Sequence, residues 1–410
     1  MNPEVTYIPR AKIVEACQSL PTPFFLYEEK RLRHNCRRLA DAFIKHFPDF
    51  DPLYAVKANP NPHLLKIIMD EGYGFDCSSL SEAWLAGKLG ARGMYIGNYS
   101  LENEFRAALE AGLLLNLDDI SLIPLTKKIG FPKQISFRIN PGLGQGSMES
   151  LVLAGPDAKF GVPHELAPQA YALAREAGAT TFGMHMMTGS NVLDERYFAV
   201  VVERQLEIAA NIKRETGIEI SFMNIGGGFG VPYRPDERCL DLAMLARGIA
   251  KVVANKCPKL GIAPPRLMAE PGRFIGAGAG WLVSQVQVIK EGYKKFVGID
   301  ANANDMPRPS IYGAYHHISV LNRSKELESV SVVGRVCENS DQFAKDRLLP
   351  KCAPGDIVAI HNCGAHAYAM GHNYNGHTRH AEYLLKTDGS ITQIRRAETI
   401  EDLFATVTLP

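Results

Sequence analysis

This sequence has almost no net charge and no long hydrophobic run. Its 45 lysines and arginines nearly cancel its 44 aspartates and glutamates, which leaves a formal charge of +1. A balanced charge gives no support for binding to nucleic acid or to an anionic membrane surface. No apolar stretch approaches the roughly 20 residues that a transmembrane helix requires. The first residues, Met1 to Thr6, lack a basic and then apolar leader pattern, so we expect a cytoplasmic protein.

The sequence also lacks paired cysteines. Its eight cysteines are scattered and include no Cys-x-x-Cys spacing, which in a chain of this size predicts reduced thiols rather than a disulfide framework. Internal repeats and low-complexity linkers are absent as well. What remains is an ordinary globular composition of 410 residues, 46% hydrophobic and 22% charged, which is long enough for two domains.

Strand patterns alternate with amphipathic helical patterns through the first two thirds of the chain. Eight segments have strand character, at 53–57, 74–77, 94–97, 113–117, 135–140, 181–187, 222–225 and 266–270. The helical patterns between them include 81–89, 101–111, 165–177, 194–216 and 240–257. Eight strands, each followed by a helix, predict a (β/α)8 TIM barrel in preference to an open, doubly wound sheet.

The pattern changes after Arg273 to short alternating strands separated by turns. They lie at 281–289, 296–300, 317–321, 330–336, 356–360, 382–385 and 390–394. Such a series predicts an antiparallel β domain, and the strand pattern at 23–27 is expected to join it. The predicted division is therefore a barrel over 30–273, with residues 1–29 and 274–410 forming the β domain.

The strand at 53–57 ends in a lysine, Lys57, within the sequence YAVKAN. A charge at the end of a buried strand is unfavourable unless it is paired or neutralised. Taken alone, Lys57 most simply reaches solvent past the strand end. The alternative is a desolvated amine that forms a Schiff base with a carbonyl cofactor. The residues at the other strand ends distinguish these interpretations.

The carboxyl ends of barrel strands carry the chemistry of TIM-barrel enzymes. Here they hold an acid at Asp76, a histidine at His185, three glycines and the pair Glu270 and Arg273. Consecutive glycines let backbone N–H groups close on an oxyanion, although GGGFG (226–230) alone is equally typical of a tight turn. With Gly272 and Arg273 on the next loop, it indicates a phosphate site.

An amine, an acid and a phosphate site in one pocket suit pyridoxal 5'-phosphate. The aldehyde would bond Lys57, and the phosphate would lie on Gly226, Gly227 and Gly228 near Arg273. Glu270 would keep the pyridine nitrogen protonated, which makes the ring a stronger electron sink. The alternative for Glu270 is a buried salt bridge to Arg273.

Several motifs together resemble the fold-type III pyridoxal-phosphate decarboxylases, the group that contains ornithine and diaminopimelate decarboxylases. They are YAVKAN, FDCSS (75–79) followed by Glu82, GGGFG and AEPGR (269–273). Others resemble diaminopimelate decarboxylase in particular: NPG (140–142) followed by KFG (159–161), NDMPRPSIYGAYH (304–316), CENSD (337–341), GAH (364–366) and NYN (373–375). The resemblance covers nearly the whole chain.

The resemblance implies roles for individual residues. Lys57 carries the cofactor, Asp76 is an acid of the pocket wall, and Glu270 pairs with the pyridine nitrogen. The phosphate region is served by Gly226, Gly227, Gly228, Gly272 and Arg273, of which Arg273 also lies near a substrate carboxylate. Arg308 and Tyr312 bind the distal carboxylate of the substrate. Cys337, a proton donor, and Glu338, an acceptor for the distal amine, come from a partner subunit, so we expect a homodimer with shared active sites.

The chain departs from the family pattern at two cofactor contacts. Met187 stands where the family has a histidine that stacks on the pyridine ring, before the pair Gly189 and Ser190, and His185 lies one side-chain period away. His366 stands where the family has a tyrosine, for which Tyr368 is a candidate substitute. A thioether can pack on a ring but cannot donate a proton. These changes leave the cofactor chemistry intact and bear on the choice of substrate.

The resemblance implies decarboxylation of meso-diaminopimelate to L-lysine. The alternatives are a decarboxylase for another amino acid with a D-configured carbon, such as D-ornithine or D-lysine in siderophore or polyamine synthesis, and a non-catalytic homologue. A racemase is disfavoured, because racemases of this fold place a cation against the pyridine nitrogen. Six metal-ligand residues crowd into twenty positions: His361, Cys363, His366, His372, His377 and His380. Their spacing matches no zinc motif, so we expect no metal and place these histidines near the cofactor or a dimer interface.

Overall fold

The chain forms two compact units. The computed structural model describes residues 2–142, 145–146, 154–155, 157–321, 324–408 and 410. One unit, here called the barrel unit, comprises Arg33–Val231 and Leu240–Phe274. The other, the β unit, comprises Met1–Leu32, Pro232–Cys239 and Ile275–Pro410. The segment Pro232–Cys239 groups with the β unit by its contacts, although it lies between two barrel strands in sequence.

Eight parallel strands close into a barrel. In chain order they are Asp51–Ala55, Gly74–Cys77, Gly93–Tyr95, Leu114–Leu117, Gln134–Asn140, Thr181–His185, Ile220–Asn224 and Arg266–Ala269. Each pairs with the next in the chain, and the eighth pairs with the first. The (β/α)8 prediction is confirmed, and the carboxyl ends of all eight strands meet at one mouth. The short strand Val162–Pro163 pairs with the last residues of the fifth barrel strand. A second short strand, Gln145–Gly146, pairs with Gly189–Ser190.

Helices precede the first barrel strand and separate the later ones. They are Glu29–Ile44, Pro62–Asp70, Leu80–Leu89, Glu102–Glu110, Leu122–Lys128, Ala167–Glu176, Glu195–Thr216 and Leu242–Leu260. The two longest start at aspartates, Asp194 and Asp241, whose carboxylates accept backbone N–H groups of the first turn. Both end at a left-handed glycine, Gly217 or Gly261, a conformation that glycine adopts without strain. No helix in the described part of the chain is long and apolar enough to cross a membrane.

One packing contact inside the barrel requires a glycine. Gly183 in the sixth strand is in register with Phe222 in the seventh, and a Cβ atom at Gly183 would lie 1.9 Å from Phe222 Cε2. Phe222 is buried together with Leu53, Met94 and Met268. The missing side chain on one strand therefore makes room for the aromatic ring of its neighbour.

The β unit contains a mixed, mainly antiparallel sheet. Its strands are Phe24–Glu28, Gly280–Glu291, Lys295–Ile299, Ile318–Val320, Leu327–Val333, Gln342–Pro350, Ile357–Ile360, Ala381–Leu385 and Ile391–Arg395. The N-terminal strand joins this sheet, as predicted. Two pairings within this mainly antiparallel sheet are parallel: Phe24–Glu28 with Ala381–Leu385, and Lys295–Ile299 with Leu327–Val333. Both join segments far apart in sequence, so no tight hairpin imposes an antiparallel direction. Short helices cover Pro3–Thr6, Arg10–Ala16, Arg273–Gly276, Arg308–Tyr312 and Ile400–Leu403.

One strand, Gln342–Pro350, was not predicted from the sequence. It lies at the edge of the sheet and pairs only with Leu327–Val333 among the described residues. Its centre carries the charged residues Lys345, Asp346 and Arg347, which interrupt the alternation of apolar and polar residues by which a strand is recognised. Charged residues on an edge strand discourage pairing with a further chain. The charges that make this strand hard to recognise in the sequence are therefore expected at the edge of a sheet.

Candidate active site at the barrel mouth

Lys57 lies at the barrel mouth beside a buried carboxylate. The first barrel strand ends at Ala55, not at Lys57 as predicted. Val56–Ala58 form a 3₁₀ turn before the extended residue Asn59. Asn59 precedes a proline, which disfavours helical backbone there and limits the turn. Lys57 Nζ lies 3.1 Å from Asp76 Oδ2. The Asp76 side chain is fully buried, whereas that of Lys57 is 50% exposed, so the amine keeps an accessible side.

Neighbouring carboxylates hold the amine in its charged form. Burial lowers the pKa of Lys57, but the negative charges of Asp76 and Glu270 outweigh burial and raise it. Burial and the charge of Glu270 raise the pKa of Asp76 to about 7, against the lowering effect of Lys57. Asp76 Oδ1 is buried and accepts no hydrogen bond within the described part of the chain. Asp76 can therefore gain or lose a proton near neutral pH beside a charged amine, and its Oδ1 can accept a hydrogen bond from a ligand.

Asp76 should make the stability of the protein depend on pH. Its pKa is higher in the folded state than in the unfolded chain, where it is about 4, so it favours folding at low pH. That contribution is lost as pH rises through about 7. We expect the free energy of unfolding of the wild type, relative to Asp76→Asn, to fall between about pH 4 and about pH 7. Urea unfolding of both proteins across this range measures the difference, and a constant difference would contradict the assignment.

Glu270 is an ionised acid inside the barrel. Its Oε1 accepts a hydrogen bond from Asn224 Nδ2 at 2.7 Å and lies 3.2 Å from His185 Nε2. The contact with His185 lacks hydrogen-bond alignment, so its effect is mainly electrostatic. Burial raises the pKa of Glu270, but His185, Lys57 and Arg138 together outweigh burial and lower it. A buried, negative carboxylate is thus available to a cationic partner.

The glycine loop packs against its neighbours more closely than any side chain would allow. A Cβ atom at Gly226, Gly227 or Gly228 would lie 2.3, 2.4 or 2.6 Å from a backbone oxygen of an adjacent loop. The N–H of Gly226 donates to Asn224 Oδ1 at 2.9 Å, and that of Gly227 donates to Met187 Sδ at 3.1 Å. Two of the three amides are therefore engaged within the protein. Met187, which replaces the expected histidine, holds this loop through its sulfur.

The other residues assigned to the phosphate region flank this loop. Gly272 follows the eighth strand, where a Cβ atom would lie 2.9 Å from Ala58 Cβ, so only glycine allows this approach to the turn that bears Lys57. Arg273 begins the helix Arg273–Gly276 and is partly buried. Ser190 lies in the strand Gly189–Ser190, directly after the sixth barrel strand. The barrel unit thus brings these residues to the mouth that holds Lys57, Asp76 and Glu270.

Sequence reasoning missed two residues that surround Glu270, Arg138 and Asn224. Arg138 is buried in the fifth strand, where its Nη1 donates to Asn98 Oδ1 at 3.2 Å and its Nε lies 4.0 Å from Asp118 Oδ1. Asn224 is the last residue of the seventh strand and bonds both Glu270 and the glycine loop. The sequence signal that could have identified both residues is a polar side chain near the carboxyl end of an otherwise apolar barrel strand.

The remaining predicted site residues belong to the β unit. Arg308 and Tyr312 are the first and last residues of one short helix, one turn apart, and Arg308 is 4% exposed. Cys337 is exposed, and its N–H donates to Asn375 Oδ1 at 2.7 Å. Glu338 follows it, and Glu338 Oε1 accepts the N–H of Ser340. His366 has a left-handed backbone, with φ of 55°.

The cysteines and histidines make no metal cluster in the described residues. All eight cysteines are free thiols. No group of three or more His, Cys, Asp or Glu side chains within the described ranges could hold an ion. One histidine of the histidine-rich segment, His361, instead packs against His317, with ring centroids 4.9 Å apart.

Comparison with known proteins identifies related chains along almost the whole length. The family model for the pyridoxal-binding domain of pyridoxal-dependent decarboxylases matches residues 32–277. A diaminopimelate decarboxylase of Methanothermobacter thermautotrophicus is 38% identical over 98% of this chain and 95% of its own. Protein TabA of Pseudomonas amygdali pv. tabaci is 39% identical over 95% of this chain and 91% of its own.

Solved structures agree with these relatives. Diaminopimelate decarboxylase from Methanocaldococcus jannaschii, in complex with L-lysine, superposes with a TM-score of 0.90 at 33% identity. That match covers 97% of this chain and 94% of the other. The Helicobacter pylori diaminopimelate decarboxylase, also with L-lysine, gives 0.87 at 31% identity and covers 96% of this chain and 98% of its own.

Proposed function

Because this chain belongs to the pyridoxal-dependent decarboxylases, we propose that it decarboxylates the D-configured carbon of meso-diaminopimelate and releases L-lysine. Its cofactor is pyridoxal 5'-phosphate, and its reaction class is amino-acid decarboxylation. The observation that carries the proposal is the grouping of Lys57, Asp76 and Glu270 at one barrel mouth. The substrate is supported by the relatives of that name and by the similar structures that hold L-lysine.

The residues at the mouth fit this cofactor. Lys57 offers an accessible amine for the aldehyde, and Glu270 offers an ionised carboxylate for the pyridine nitrogen. Since two glycine amides are engaged within the protein, we assign the phosphate to Gly228, Gly272 and Arg273, with Ser190 nearby, on a surface shaped by Gly226 and Gly227. Met187 and His185 are assigned to the ring, and His366 to a further cofactor contact. When bound, the cofactor supplies an electron sink for the carbon that loses its carboxylate.

The protein itself supplies charge and protons. Glu270 stays ionised in a buried setting, so it favours a proton on a ring nitrogen next to it. Asp76 accepts and returns a proton beside Lys57, because its pKa is raised to about 7. We assign the return of a proton to the decarboxylated carbon to Cys337 or Lys57. We assign the distal carboxylate of the substrate to Arg308 and Tyr312 and its distal amine to Glu338, since a guanidinium and a carboxylate complement those groups, and we place Arg273 near a substrate carboxylate.

We propose a cytoplasmic homodimer in which Cys337 and Glu338 complete the active site of the neighbouring subunit. The exposure of the Cys337 thiol in the single chain supports this assignment. Because a shared site requires two subunits, activity should vanish on dilution below the dimer dissociation constant. Analytical ultracentrifugation combined with activity measurements tests this, and a fully active monomer would refute it.

A second candidate is decarboxylation of a different amino acid with a D-configured carbon. Met187 and His366 depart from the diaminopimelate decarboxylase pattern, and the 39% identity to Protein TabA is within one percentage point of the 38% identity to the diaminopimelate decarboxylase of Methanothermobacter thermautotrophicus. A non-catalytic homologue is disfavoured by the retained Lys57, Asp76 and Glu270.

A release assay for carbon dioxide separates these candidates. The panel consists of the diaminopimelate isomers, D- and L-lysine, D- and L-ornithine and carboxylated siderophore precursors. We expect kcat/KM for meso-diaminopimelate to exceed every other value by at least about 100-fold, since substrates without the distal carboxylate lack the ion pair with the Arg308 guanidinium. Turnover of another member alone would replace the substrate and keep the reaction class. No turnover of any member by cofactor-loaded protein would favour the non-catalytic alternative.

A further inference from the structure

Arg308 is held by a buried histidine, His316. Arg308 Nη1 lies 2.7 Å from His316 Nε2, and His316 Nδ1 lies 2.7 Å from the carbonyl oxygen of His361. Arg308 is 4% exposed and His316 is completely buried. These contacts lie within the β unit and join its short helix Arg308–Tyr312 to the end of the strand Ile357–Ile360.

The two contacts define the protonation of His316. A carbonyl oxygen cannot donate a hydrogen bond, so the hydrogen of that contact belongs to Nδ1. A guanidinium cannot accept one, so Nε2 is the bare acceptor for Arg308. The ring is therefore neutral in this arrangement, with both nitrogens used. A neutral acceptor orients Arg308 without cancelling its positive charge, unlike a carboxylate in the same place.

Aromatic packing fixes the pair from another direction. The guanidinium carbon of Arg308 lies 4.7 Å from the ring centroid of Tyr233. The same tyrosine packs edge-on against His316, with ring centroids 5.0 Å apart and planes at 71°. Tyr233 is itself buried and belongs to the segment Pro232–Cys239, which groups with the β unit. A planar guanidinium held by a ring face and by one in-plane acceptor has little rotational freedom.

A further contact holds the backbone of His316. Arg347, in the edge strand Gln342–Pro350, donates from Nη1 to the carbonyl oxygen of His316. The backbone and the side chain of His316 are therefore both bonded to other elements of the β unit. A histidine so constrained can transmit its position to Arg308.

We propose that His316 is a positioning residue for substrate specificity, because it aims the Arg308 guanidinium at the distal carboxylate of the substrate. This inference rests on the proposed function, since it assumes that Arg308 binds that carboxylate. Bidentate pairing with a carboxylate requires the guanidinium in one orientation, so loss of the acceptor should weaken carboxylate recognition selectively.

Two variants and a control test the proposal in the cofactor-loaded enzyme. His316→Phe keeps a planar ring but removes both hydrogen bonds, and His316→Gln restores an acceptor for Arg308. His317→Phe is the control, since His317 is adjacent but makes a ring contact with His361 instead of bonding Arg308. The readout is the dissociation constant, by calorimetry, of L-lysine and of cadaverine, which is L-lysine without its carboxylate.

We expect His316→Phe to weaken L-lysine binding by about 10- to 100-fold and to change cadaverine binding by less than about twofold. His316→Gln should recover most of the loss, and His317→Phe should match the wild type. For meso-diaminopimelate, KM should rise in His316→Phe with kcat nearly unchanged. Such a split would not follow from general loss of structure.

Results that would overturn this proposal differ from results that would refute only the proposed substrate. Unchanged L-lysine binding in His316→Phe, or equal losses for L-lysine and cadaverine, would overturn the proposal. A wild type that binds both ligands equally would overturn it as well. A wild type that prefers L-lysine, with that preference lost in His316→Phe, but that turns over no diaminopimelate would refute the proposed substrate and leave the role of His316 standing.

Discussion

Replacing Lys57 by alanine is expected to lower the rate of decarboxylation by about 10⁴-fold or more, since we propose Lys57 as the residue that bonds the cofactor covalently. The reason lies in the immediate surroundings of Lys57. Lys57 supplies the accessible amine within 3.1 Å of Asp76 at the barrel mouth. Removal of the amine also leaves Asp76 and Glu270 as two buried acids without that cation, so the pKa of Asp76 should rise further.

Two measurements and one control variant check the expectation for Lys57. The loaded wild type should absorb near the edge of the visible range, and borohydride should attach the cofactor to the peptide that contains Lys57. Lys57→Ala should show neither property. Lys66→Ala is a matched control, because Lys66 is 62% exposed and pairs with Asp70 on a barrel helix; it should behave as the wild type. Labelling of a different lysine in the wild type would contradict the assignment.

Replacing Glu270 by glutamine is expected to lower kcat by about 10²- to 10⁴-fold while the cofactor remains bound. Glutamine has nearly the same shape and keeps an oxygen for Asn224, but it carries no charge. The variant therefore lacks the negative charge that we propose favours a proton on the pyridine nitrogen. His185, Arg138 and Lys57 also lose their shared anionic neighbour.

The pH dependence provides a second readout for Glu270→Gln. The charge of Glu270 raises the pKa of Asp76, so its loss should lower that pKa from about 7. We expect any step that requires ionised Asp76 to become available at lower pH in the variant. Rate profiles against pH measure this shift. Glu176→Gln, a change at an exposed helix residue, is the control and should alter neither kcat nor the profile. A Glu270→Gln variant with wild-type kcat would remove Glu270 from the chemistry.

The residues found from sequence alone share one property. Lys57 and Glu270 lie just beyond the ends of strands, and Asp76 is the last but one residue of its strand; each is a charged group that interrupts an apolar run and is visible without a structure. Arg138 lies two residues before the end of its strand and Asn224 is the last residue of its strand, but the sequence of a strand does not reveal which of its two faces will line a closed barrel. Only closure of the ring brought these two side chains around Glu270.

The sequence by itself determined the barrel, the glycine loop and the amine with its two acids, because strand periodicity and strand-end chemistry are local properties of the chain. Tertiary structure decided the rest. It placed the sulfur of Met187 on a glycine amide, paired the edge strand Gln342–Pro350, and set His316 against Arg308. Each of these contacts joins residues whose separation in space depends on packing of whole elements, and no local pattern encodes that distance.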